Sequence, residues 1–162
     1  MLQFGTPEQD LTYRERATAF GLVLRDGLLA CVRVDRGDGS YFDLPGGAVD
    51  GVETEAQAIV REFLEETGMT VVPRRRIAEA AQYFRKTDGE PIRNHGGFWI
   101  ADQTALDPAL KVEADHTLTW LSPPDAVSCL RHDAHAWAVA CLMRLGRQAS
   151  QYGTSDPPDR SL

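Results

Sequence analysis

Hydrophobic residues along the chain fall into short runs that predict strands, separated by turns rich in glycine, proline and aspartate. Two runs meet at the Asp26-Gly27 turn, which favours a hairpin, and a third follows another glycine turn. Three more runs follow residue 70. The predicted strands are 17–24, 28–34, 41–44, 77–84, 97–101 and 117–121, and the polar residues 1–16 are predicted to be loosely ordered.

One helix is predicted between the third and fourth strands, over residues 55–67. Thr54 and Gln57 form a capping-box pattern at its start. Gly68 stands at the position where a left-handed residue commonly ends a helix. Both ends of the helix are therefore marked in the sequence.

A second helical region is predicted to open at Ser122, and its last helix carries one apolar stripe at i, i+3 and i+4 spacing. The polar, proline-bearing sequence from Gly146 onward predicts a disordered tail. We place a single domain at residues 1–148 and the tail at 149–162.

The composition supports one globular domain and excludes several classes of partner. The chain has 162 residues, of which 43% are hydrophobic and 25% charged, and its net charge of -7 argues against a nonspecific nucleic-acid or membrane binder. No apolar segment at the N-terminus resembles a signal peptide, so a cytoplasmic protein is expected. The three cysteines, Cys31, Cys129 and Cys141, form no C-x-x-C pair and are typical of reduced structural thiols.

The first predicted helix concentrates negative charge. At roughly 100° per residue, Glu62, Glu65 and Glu66 share one face with Glu55, and the apolar side chains lie opposite, so the carboxylates are expected to point outward. Like charges at these spacings repel, and the basic residue near them is Arg61. The spacing alone leaves two interpretations open: a solvated acidic face, or a site for a divalent cation such as Mg²⁺.

The residues around this helix form a longer pattern. Leu44-Pro45-Gly46-Gly47 is followed after five residues by Glu53, and after seven more by Arg61-Glu62-Phe63-Leu64-Glu65-Glu66-Thr67-Gly68-Met69. Every fixed position of the string G-x5-E-x7-R-E-U-x-E-E-x-G-U is filled, where U is a bulky apolar residue. This string resembles the signature of the Nudix hydrolases (MutT-like). The predicted strand order is also similar to the α/β/α sandwich of that family, with its mixed β-sheet and the loop-helix that carries the signature.

The resemblance implies a metal site on this helix. Glu62, Glu65 and Glu66 look like the metal-coordinating carboxylates of the family, and the backbone carbonyl of Gly47 is similar to one that also reaches the metal. The implied cofactor is Mg²⁺, with Mn²⁺ as a substitute. A bound cation would also allow a protein of net charge -7 to bind an anionic substrate.

Arg61 and Glu53 resemble the residues that orient those glutamates by a salt bridge, so the implied catalytic set is Glu53, Arg61, Glu62, Glu65 and Glu66. The implied activity is hydrolysis of a diphosphate bond in a nucleoside diphosphate linked to another moiety: a nucleotide, a nucleotide sugar or a dinucleotide. The alternative is a Nudix-fold module that senses a nucleotide without cleaving it. Such modules commonly lose signature glutamates, and none is lost here. The exact substrate, the general base, the number of metal ions and a homodimer stay open.

Two weaker signals lie outside the signature. Many family members use one more acidic residue from a loop after the central strands, and Glu113 is the first candidate for this metal ligand, with Asp115 second. Cys129, His132 and His135 have residue types and spacings found in zinc sites, but structural zinc needs four ligands and no fourth is evident nearby. We therefore do not expect zinc.

A basic loop is the candidate for contacts with the substrate. Arg85, Lys86 and Arg93, with His95 nearby, cluster around the polar loop between two predicted strands, and such side chains bind phosphate. Ordinary surface charge is the alternative interpretation of these side chains, and the sequence alone favours it. The expected partner is a small nucleotide or another diphosphate compound, with no nucleic acid and no membrane.

Overall fold

The computed structural model of the protein describes residues 1–37 and 39–152. These residues form nine strands and three α-helices, with a short 3₁₀ turn, Pro108–Leu110, before the last strand. In chain order the elements are β1 (Leu2–Phe4), β2 (Arg14–Leu22), β3 (Leu24–Arg25), β4 (Leu28–Arg36), β5 (Gly39–Asp43), β6 (Gly46–Ala48), α1 (Glu55–Thr67), β7 (Met69–Arg85), β8 (Pro91–Leu106), β9 (His116–Leu121), α2 (Pro123–Cys129) and α3 (Asp133–Tyr152).

The strands form two sheets. The larger sheet has the order β1-β7-β8-β2-β6, in which β1 is parallel to β7 and β2 is parallel to β8. The pairs β7–β8 and β2–β6 are antiparallel, so this sheet is mixed. In the smaller sheet β4 pairs antiparallel with β3, β5 and β9.

Helices cover both faces of the larger sheet. Ala19 and Phe20, consecutive residues of β2, point to opposite faces and belong to two different apolar cores. Ile59 and Phe63 of α1 pack in the core of Ala19, whereas α2 and α3 contribute to the core of Phe20 through residues such as Ala138. The predicted α/β class, a sandwich of helices around a mixed sheet, is confirmed. None of the helices in the described part of the chain is long and apolar enough to cross a membrane.

Helix α1 has the predicted bounds, and its caps explain why. The Thr54 side chain accepts a hydrogen bond from the Gln57 backbone N–H (3.3 Å), and the Thr54 N–H donates to Gln57 Oε1 (2.8 Å), which completes the capping box. At the other end Gly68 has φ of 73°, and its N–H donates to the Leu64 carbonyl. Glycine adopts this left-handed conformation without steric cost.

Several strands differ from the prediction. Residues 1–16 are not loosely ordered throughout, because β1 pairs with β7 and β2 already begins at Arg14. Strands β7 and β8 extend well beyond the predicted 77–84 and 97–101. Pro73 lies in β7 beside a register shift, and such a bulge admits a residue that cannot donate to the ladder.

The tail prediction was wrong at its beginning. Helix α3 continues through Gly146 and ends at Tyr152, so its last turns cover residues assigned to the tail. A glycine costs a helix about 1 kcal/mol relative to alanine, and α3 continues through Gly146 despite this cost. The rest of the predicted tail, 153–162, lies outside the described residues.

Candidate active site

Helix α1 turns two of its glutamates inward. Glu62 is 8% exposed and Glu66 is 5% exposed. The expectation that the carboxylates of this helix point outward is therefore wrong for these two residues. Glu55 lies apart from them, because its carboxylate accepts hydrogen bonds from Trp99 Nε1 (2.7 Å) and Arg76 Nη2 (2.9 Å).

Arg61 connects the acidic residues of the signature. Its Nε and Nη2 donate to the two carboxylate oxygens of Glu53, at 2.9 and 2.8 Å. Its Nη1 donates to Glu62 Oε1 (2.9 Å) and Glu65 Oε2 (3.3 Å), and Nη2 also donates to the Ala48 carbonyl (2.9 Å). A guanidinium presents five donors in a rigid fork, so one side chain can fix three carboxylates at once.

The ion pair between Arg61 and Glu53 fixes the charge of both partners. Hydrogen bonds from Arg61 and from the Asp50 backbone N–H (2.8 Å) lower the pKa of Glu53 to about 2. The hydrogen bonds to Glu53 in turn raise the pKa of Arg61. Both groups stay ionised at neutral pH, so Arg61 is a permanent cation beside the buried glutamates.

The two inward glutamates lie in an environment that disfavours their charge. Burial raises the pKa of Glu62, and it raises the pKa of Glu66 well above its ordinary value, with the charges of Glu62 and Glu113 acting in the same direction on Glu66. A hydrogen bond from the Gly46 backbone N–H to Glu66 Oε2 (3.0 Å) opposes this shift. His116 Nε2 lies 3.4 Å from Glu66 Oε1. A cation at this position would remove the cost of ionising both carboxylates.

The loop before β9 brings a further acid to α1. The backbone N–H groups of Val112 and Glu113 donate to the Glu65 carbonyl, at 2.8 and 3.0 Å. These bonds satisfy a carbonyl near the C-terminal end of α1 and attach the loop to it. The Glu113 carboxylate lies 2.9 Å from His116 Nδ1, so the loop and the first residue of β9 reach the same site.

His116 is a site residue that the sequence interpretation missed. It is buried, and its imidazole lies between Glu66 on one side and Glu113 and Asp115 on the other. An acid-x-x-His spacing at the start of a predicted strand was the available signal. Asp115, the second choice for the additional acid, pairs instead with Arg36 and lies 2.9 Å from His116 Nδ1.

Two overlapping sets of side chains offer ligand atoms close enough to share a metal ion. One set is Glu66, Glu113 and His116, and the other is Glu62, Glu65 and Glu113, with the ligand atoms of each set within 4.8 Å of one another. Carboxylate oxygens suit Mg²⁺ and Mn²⁺, and Mg²⁺ completes its octahedron with water and phosphate oxygens. The donor set therefore fits the implied cofactor.

Gly47 makes room for this arrangement. A Cβ atom at residue 47 would lie 2.6 Å from Glu62 Oε1, so a side chain there would displace the Glu62 carboxylate. Gly47 belongs to the short strand β6, which pairs with β2 at Ala19 and brings the backbone against the carboxylate of Glu62. The glycine therefore leaves the Glu62 carboxylate in its position beside Arg61.

The acidic residues lie at one end of a cavity of about 510 Å³. Glu62, Glu66, Glu113 and His116 line this end. The rest of the wall comes from β2, β4 and β5, from β7, β8 and the loop between them, and from the junction of α2 and α3. It includes Arg16, Phe20, Tyr41, Asp43, Phe84, Lys86, Asn94, Arg131, His132 and His135. A volume of this size accommodates a small organic ligand.

One of the basic residues predicted to contact phosphate, Lys86, lines this cavity. Arg85 instead pairs with Glu8 at 2.6 Å, and Arg93 pairs with Glu15 at 2.7 Å. Side chains alternate along β8, so Arg93 lies on the face opposite to that of the next residue, which lines the cavity. His95 is likewise near Glu15, outside the cavity lining. Three further arginines, which the sequence did not single out, lie on the cavity wall: Arg16, Arg36 and Arg131.

The cysteine and histidines considered for zinc do not form a metal site among the described residues. Cys129 is exposed, whereas His132 and His135 are buried. The two imidazole rings lie 5.2 Å apart and pack against Phe84 and Phe20. Burial lowers the pKa of His132 to about 3, so that ring is neutral at physiological pH.

Comparisons with known proteins agree with this fold. Residues 13–145 match the NUDIX domain profile. A NUDIX hydrolase from Nitrosomonas europaea has a TM-score of 0.68 and 18% identity, covering 92% of this chain and 97% of that one. A MutT NUDIX hydrolase from Burkholderia pseudomallei has a TM-score of 0.60 and 25% identity, with 80% and 98% covered.

An ADP-ribose pyrophosphatase from Streptococcus suis is also similar, with a TM-score of 0.60 and 18% identity over 82% of this chain and 92% of that one. A comparison with curated protein sequences found no match. The domain profile covers most of the chain, and it includes the whole signature from Gly47 to Met69. The chain therefore belongs to the Nudix family.

Proposed function

We propose that the protein is a Mg²⁺-dependent hydrolase that cleaves a diphosphate bond in a nucleoside diphosphate linked to another moiety. The observation that carries this proposal is the cluster formed by Glu62, Glu65, Glu66 and Glu113, of which Glu62, Glu66 and Glu113 line one end of a ligand-sized cavity. Two of these carboxylates are buried and have raised pKa values, which is a costly arrangement unless a cation neutralises it.

The metal ligands in this proposal are the four glutamates, the Gly47 carbonyl and, from the same cluster, His116. When bound, the ion supplies an activated water and offsets charge on the diphosphate. Mn²⁺ is expected to substitute, because it accepts the same carboxylate ligands and tolerates an imidazole.

Arg61 and Glu53 are positioning residues in this scheme. The fork of Arg61 holds Glu62 and Glu65 at 2.9 and 3.3 Å, and Glu53 orients the fork from its other side. Residues that orient metal ligands typically change metal affinity by 10- to 100-fold when removed, by order of magnitude. His116 lies between two of the proposed ligands, with Nε2 3.4 Å from Glu66 Oε1 and Nδ1 2.9 Å from Glu113 Oε2.

The remainder of the cavity is proposed to hold the organic part of the substrate. Lys86 and Arg131 lie on its wall, where Lys86 Nζ also donates to Glu90 (2.9 Å) and the Arg131 guanidinium stacks over Tyr41. The structural neighbour named as an ADP-ribose pyrophosphatase acts, by that name, on a diphosphate, which supports the substrate class without identifying the substrate.

A panel of nucleoside triphosphates, nucleotide sugars and dinucleotides, incubated with and without Mg²⁺, tests this function. We expect hydrolysis of at least one member only with metal, giving a monophosphate on one side of the cleaved bridge. Nucleoside monophosphates should not be hydrolysed. Full activity in excess EDTA would contradict the proposal, and metal-dependent binding without cleavage of any member would favour a nucleotide-sensing module instead.

A further inference from the structure

His116 adds a nitrogen ligand to a cluster of carboxylates. The set of Glu62, Glu65 and Glu113 offers oxygen atoms only, whereas the set of Glu66, Glu113 and His116 offers two oxygens and an imidazole nitrogen. Glu113 belongs to both sets, and the ligand atoms of each set lie within 4.8 Å of one another. The two sets therefore form neighbouring positions of different chemistry, which we call the oxygen position and the mixed position.

The contacts of the imidazole leave its other nitrogen free to act as a ligand. His116 Nδ1 lies 2.9 Å from Glu113 Oε2 and 2.9 Å from Asp115 Oδ1, so two acceptors surround this nitrogen. A neutral imidazole carries one proton, and a proton on Nδ1 avoids repulsion between a nitrogen lone pair and these oxygens. Nε2 then carries a lone pair, and it faces Glu66 Oε1.

The distance between Nε2 and the Glu66 carboxylate suits a shared metal ion. Nε2 lies 3.4 Å from Glu66 Oε1, which is longer than an ordinary hydrogen bond. Two ligands that each bind one ion at about 2.1 Å are about 3.0 to 3.4 Å apart, at angles of roughly 90° to 109°. Both residues are buried and line the cavity. A cation between them would replace the repulsion of two acceptors by two bonds.

Asp115 holds the imidazole in this orientation. Its carboxylate forms an ion pair with Arg36, and its backbone carbonyl accepts a hydrogen bond from the Asp35 N–H (2.9 Å). Arg36 and Asp35 belong to β4, which pairs with β9 from His116 onward. A carboxylate that accepts from the outer nitrogen of a metal-binding histidine fixes its tautomer and makes it a stronger ligand.

We propose that the mixed position binds a first-row transition-metal ion in preference to Mg²⁺, with His116 Nε2 as a direct ligand and Asp115 as its positioning residue. The inference rests on the proposed function in that Glu66 and Glu113 are metal ligands there. Imidazole suits the later first-row ions, and affinity rises from Mn²⁺ to Co²⁺, whereas Mg²⁺ prefers oxygen. The oxygen position is therefore expected to retain Mg²⁺. With Mg²⁺ as the only cation, both positions hold Mg²⁺.

Two measurements on the metal-free protein test the inference without using hydrolysis. Calorimetric titrations give the affinities for Co²⁺ and Mg²⁺, and pulsed electron paramagnetic resonance of Mn²⁺ at one equivalent detects a nitrogen ligand through its hyperfine coupling. We expect Co²⁺ to bind at least about tenfold more tightly than Mg²⁺, and the Mn²⁺ spectrum to show a coupled nitrogen. Bound Mn²⁺ without nitrogen coupling would overturn the inference, whether or not any variant folds.

Variants assign the nitrogen to His116. His116→Gln removes the imidazole, so the nitrogen coupling should disappear and the ratio of Co²⁺ to Mg²⁺ affinity should fall by about tenfold. Asp115→Ala should lower that ratio by at least about threefold and keep the coupling, because the ring is present but no longer held. His95→Gln is the matched control. Its imidazole lies 3.6 Å from Glu15, outside the cavity lining, so this variant should keep both the coupling and the ratio.

The outcomes separate this inference from the proposed function. A nitrogen coupling that persists in His116→Gln, or an unchanged affinity ratio in that variant, would overturn the inference alone, because Mg²⁺-dependent hydrolysis would remain. An unchanged ratio in Asp115→Ala would overturn the role assigned to Asp115. If the metal-free protein bound none of the three ions, the inference and the proposed function would both fall.

Discussion

The two ends of the cavity are built in different ways. The acidic end has a local core, with Glu62 and Glu66 on α1 and Gly46 and Gly47 in the segment before it, to which the loop before β9 adds Glu113 and His116. The far end is assembled from β5, β8 and the start of α3, through Asp43, Asn94 and other residues distant in sequence. Most of the end proposed for chemistry is therefore set by one continuous segment, whereas the end proposed for recognition depends on the whole fold.

The two ends are therefore expected to tolerate amino-acid substitutions to different degrees. The acidic end needs a fixed helix, a glycine at residue 47 and an arginine fork, so few substitutions preserve it. At the far end, the side chains project from strands whose positions are held by the sheet and the cores. Substitutions there are expected to change which ligand binds while leaving the metal site in place.

The largest expected effect is at Glu66. We expect Glu66→Gln to lower kcat by roughly 10²-fold or more at saturating Mg²⁺. A neutral amide then replaces the buried carboxylate that is proposed to bind the metal ion, at a position from which water is excluded. The metal-free variant should unfold at the same temperature or higher, since a buried ionisable group becomes neutral. Glu55→Gln on the same helix, whose carboxylate lies apart from the site, is the control and should keep its rate. Equal rates in both variants would contradict the proposed division of the cavity.

The next effect is at Arg61. Arg61→Ala should weaken apparent Mg²⁺ affinity by about tenfold or more and lower kcat, because Glu62 and Glu65 lose the donor that orients them. Arg61→Lys keeps the charge without the fork, so an intermediate loss is expected. Titration of the activity with Mg²⁺ measures the apparent metal affinity and kcat of both variants. Arg74→Ala, which breaks only an exposed pair with Asp102, should behave like the parent protein, and a similar loss there would point to a general charge effect.

The acidic end should also respond to pH. Glu62 and Glu66 have folded-state pKa values above their unfolded values, so the metal-free protein should be most stable below the unfolded pKa and lose that contribution as pH rises through the folded pKa. Mg²⁺ needs the ionised forms, so its apparent affinity should rise over the same window. Glu53, with a pKa of about 2, stays ionised in this window and adds no pH dependence to the Mg²⁺ affinity.

Calorimetric titration of Mg²⁺ at several pH values from about 5 to 8 checks this dependence. Glu66→Gln should flatten the slope, because the group with the more strongly raised pKa is removed. A Mg²⁺ affinity that is constant across the range would mean that the buried carboxylates do not bind the ion.

The smallest effect is expected at the far end. Arg131 stacks over Tyr41 at 4.3 Å and lies near Phe84 at 5.4 Å, so its guanidinium forms part of the cavity wall. Arg131→Ala should raise KM several-fold, by order of magnitude, and leave kcat and Mg²⁺ affinity nearly unchanged. Arg25→Ala removes a comparable stack on Trp120, outside the cavity, and should leave KM unchanged. A fall in kcat without a change in KM would show that the two ends are not separable.

The sequence predicted the acidic end well because its determinants are local. The caps at Thr54 and Gly68 define α1, and the signature places Glu53, Arg61 and the helix glutamates within reach of one another. The sequence did not predict that Glu62 and Glu66 are buried. Their burial depends on the packing of β9 and the loop before it over α1, and the same packing brings His116 into the site.

The far end could not be read from the sequence for a physical reason. Whether Arg93 or Asn94 faces the cavity depends on the register of β8 between β2 and β7, and a shift of one residue would exchange the two faces. The register shifts in β7, including the one beside Pro73, alter that register along the pair. Local patterns do not encode such pairings, so Arg93 seemed as suitable for phosphate as Lys86.

The central claim is that the acidic end binds a diphosphate only through a metal ion. Calorimetric titration of a noncleavable nucleoside diphosphate analogue, in Mg²⁺ and in excess EDTA, tests it directly. The account predicts binding in Mg²⁺ and at least about 100-fold weaker binding in EDTA, because the metal-free site repels anions. Equal affinity in both conditions would contradict it, since the phosphates would then be held by side chains such as Lys86 and Arg131 rather than by a metal on α1.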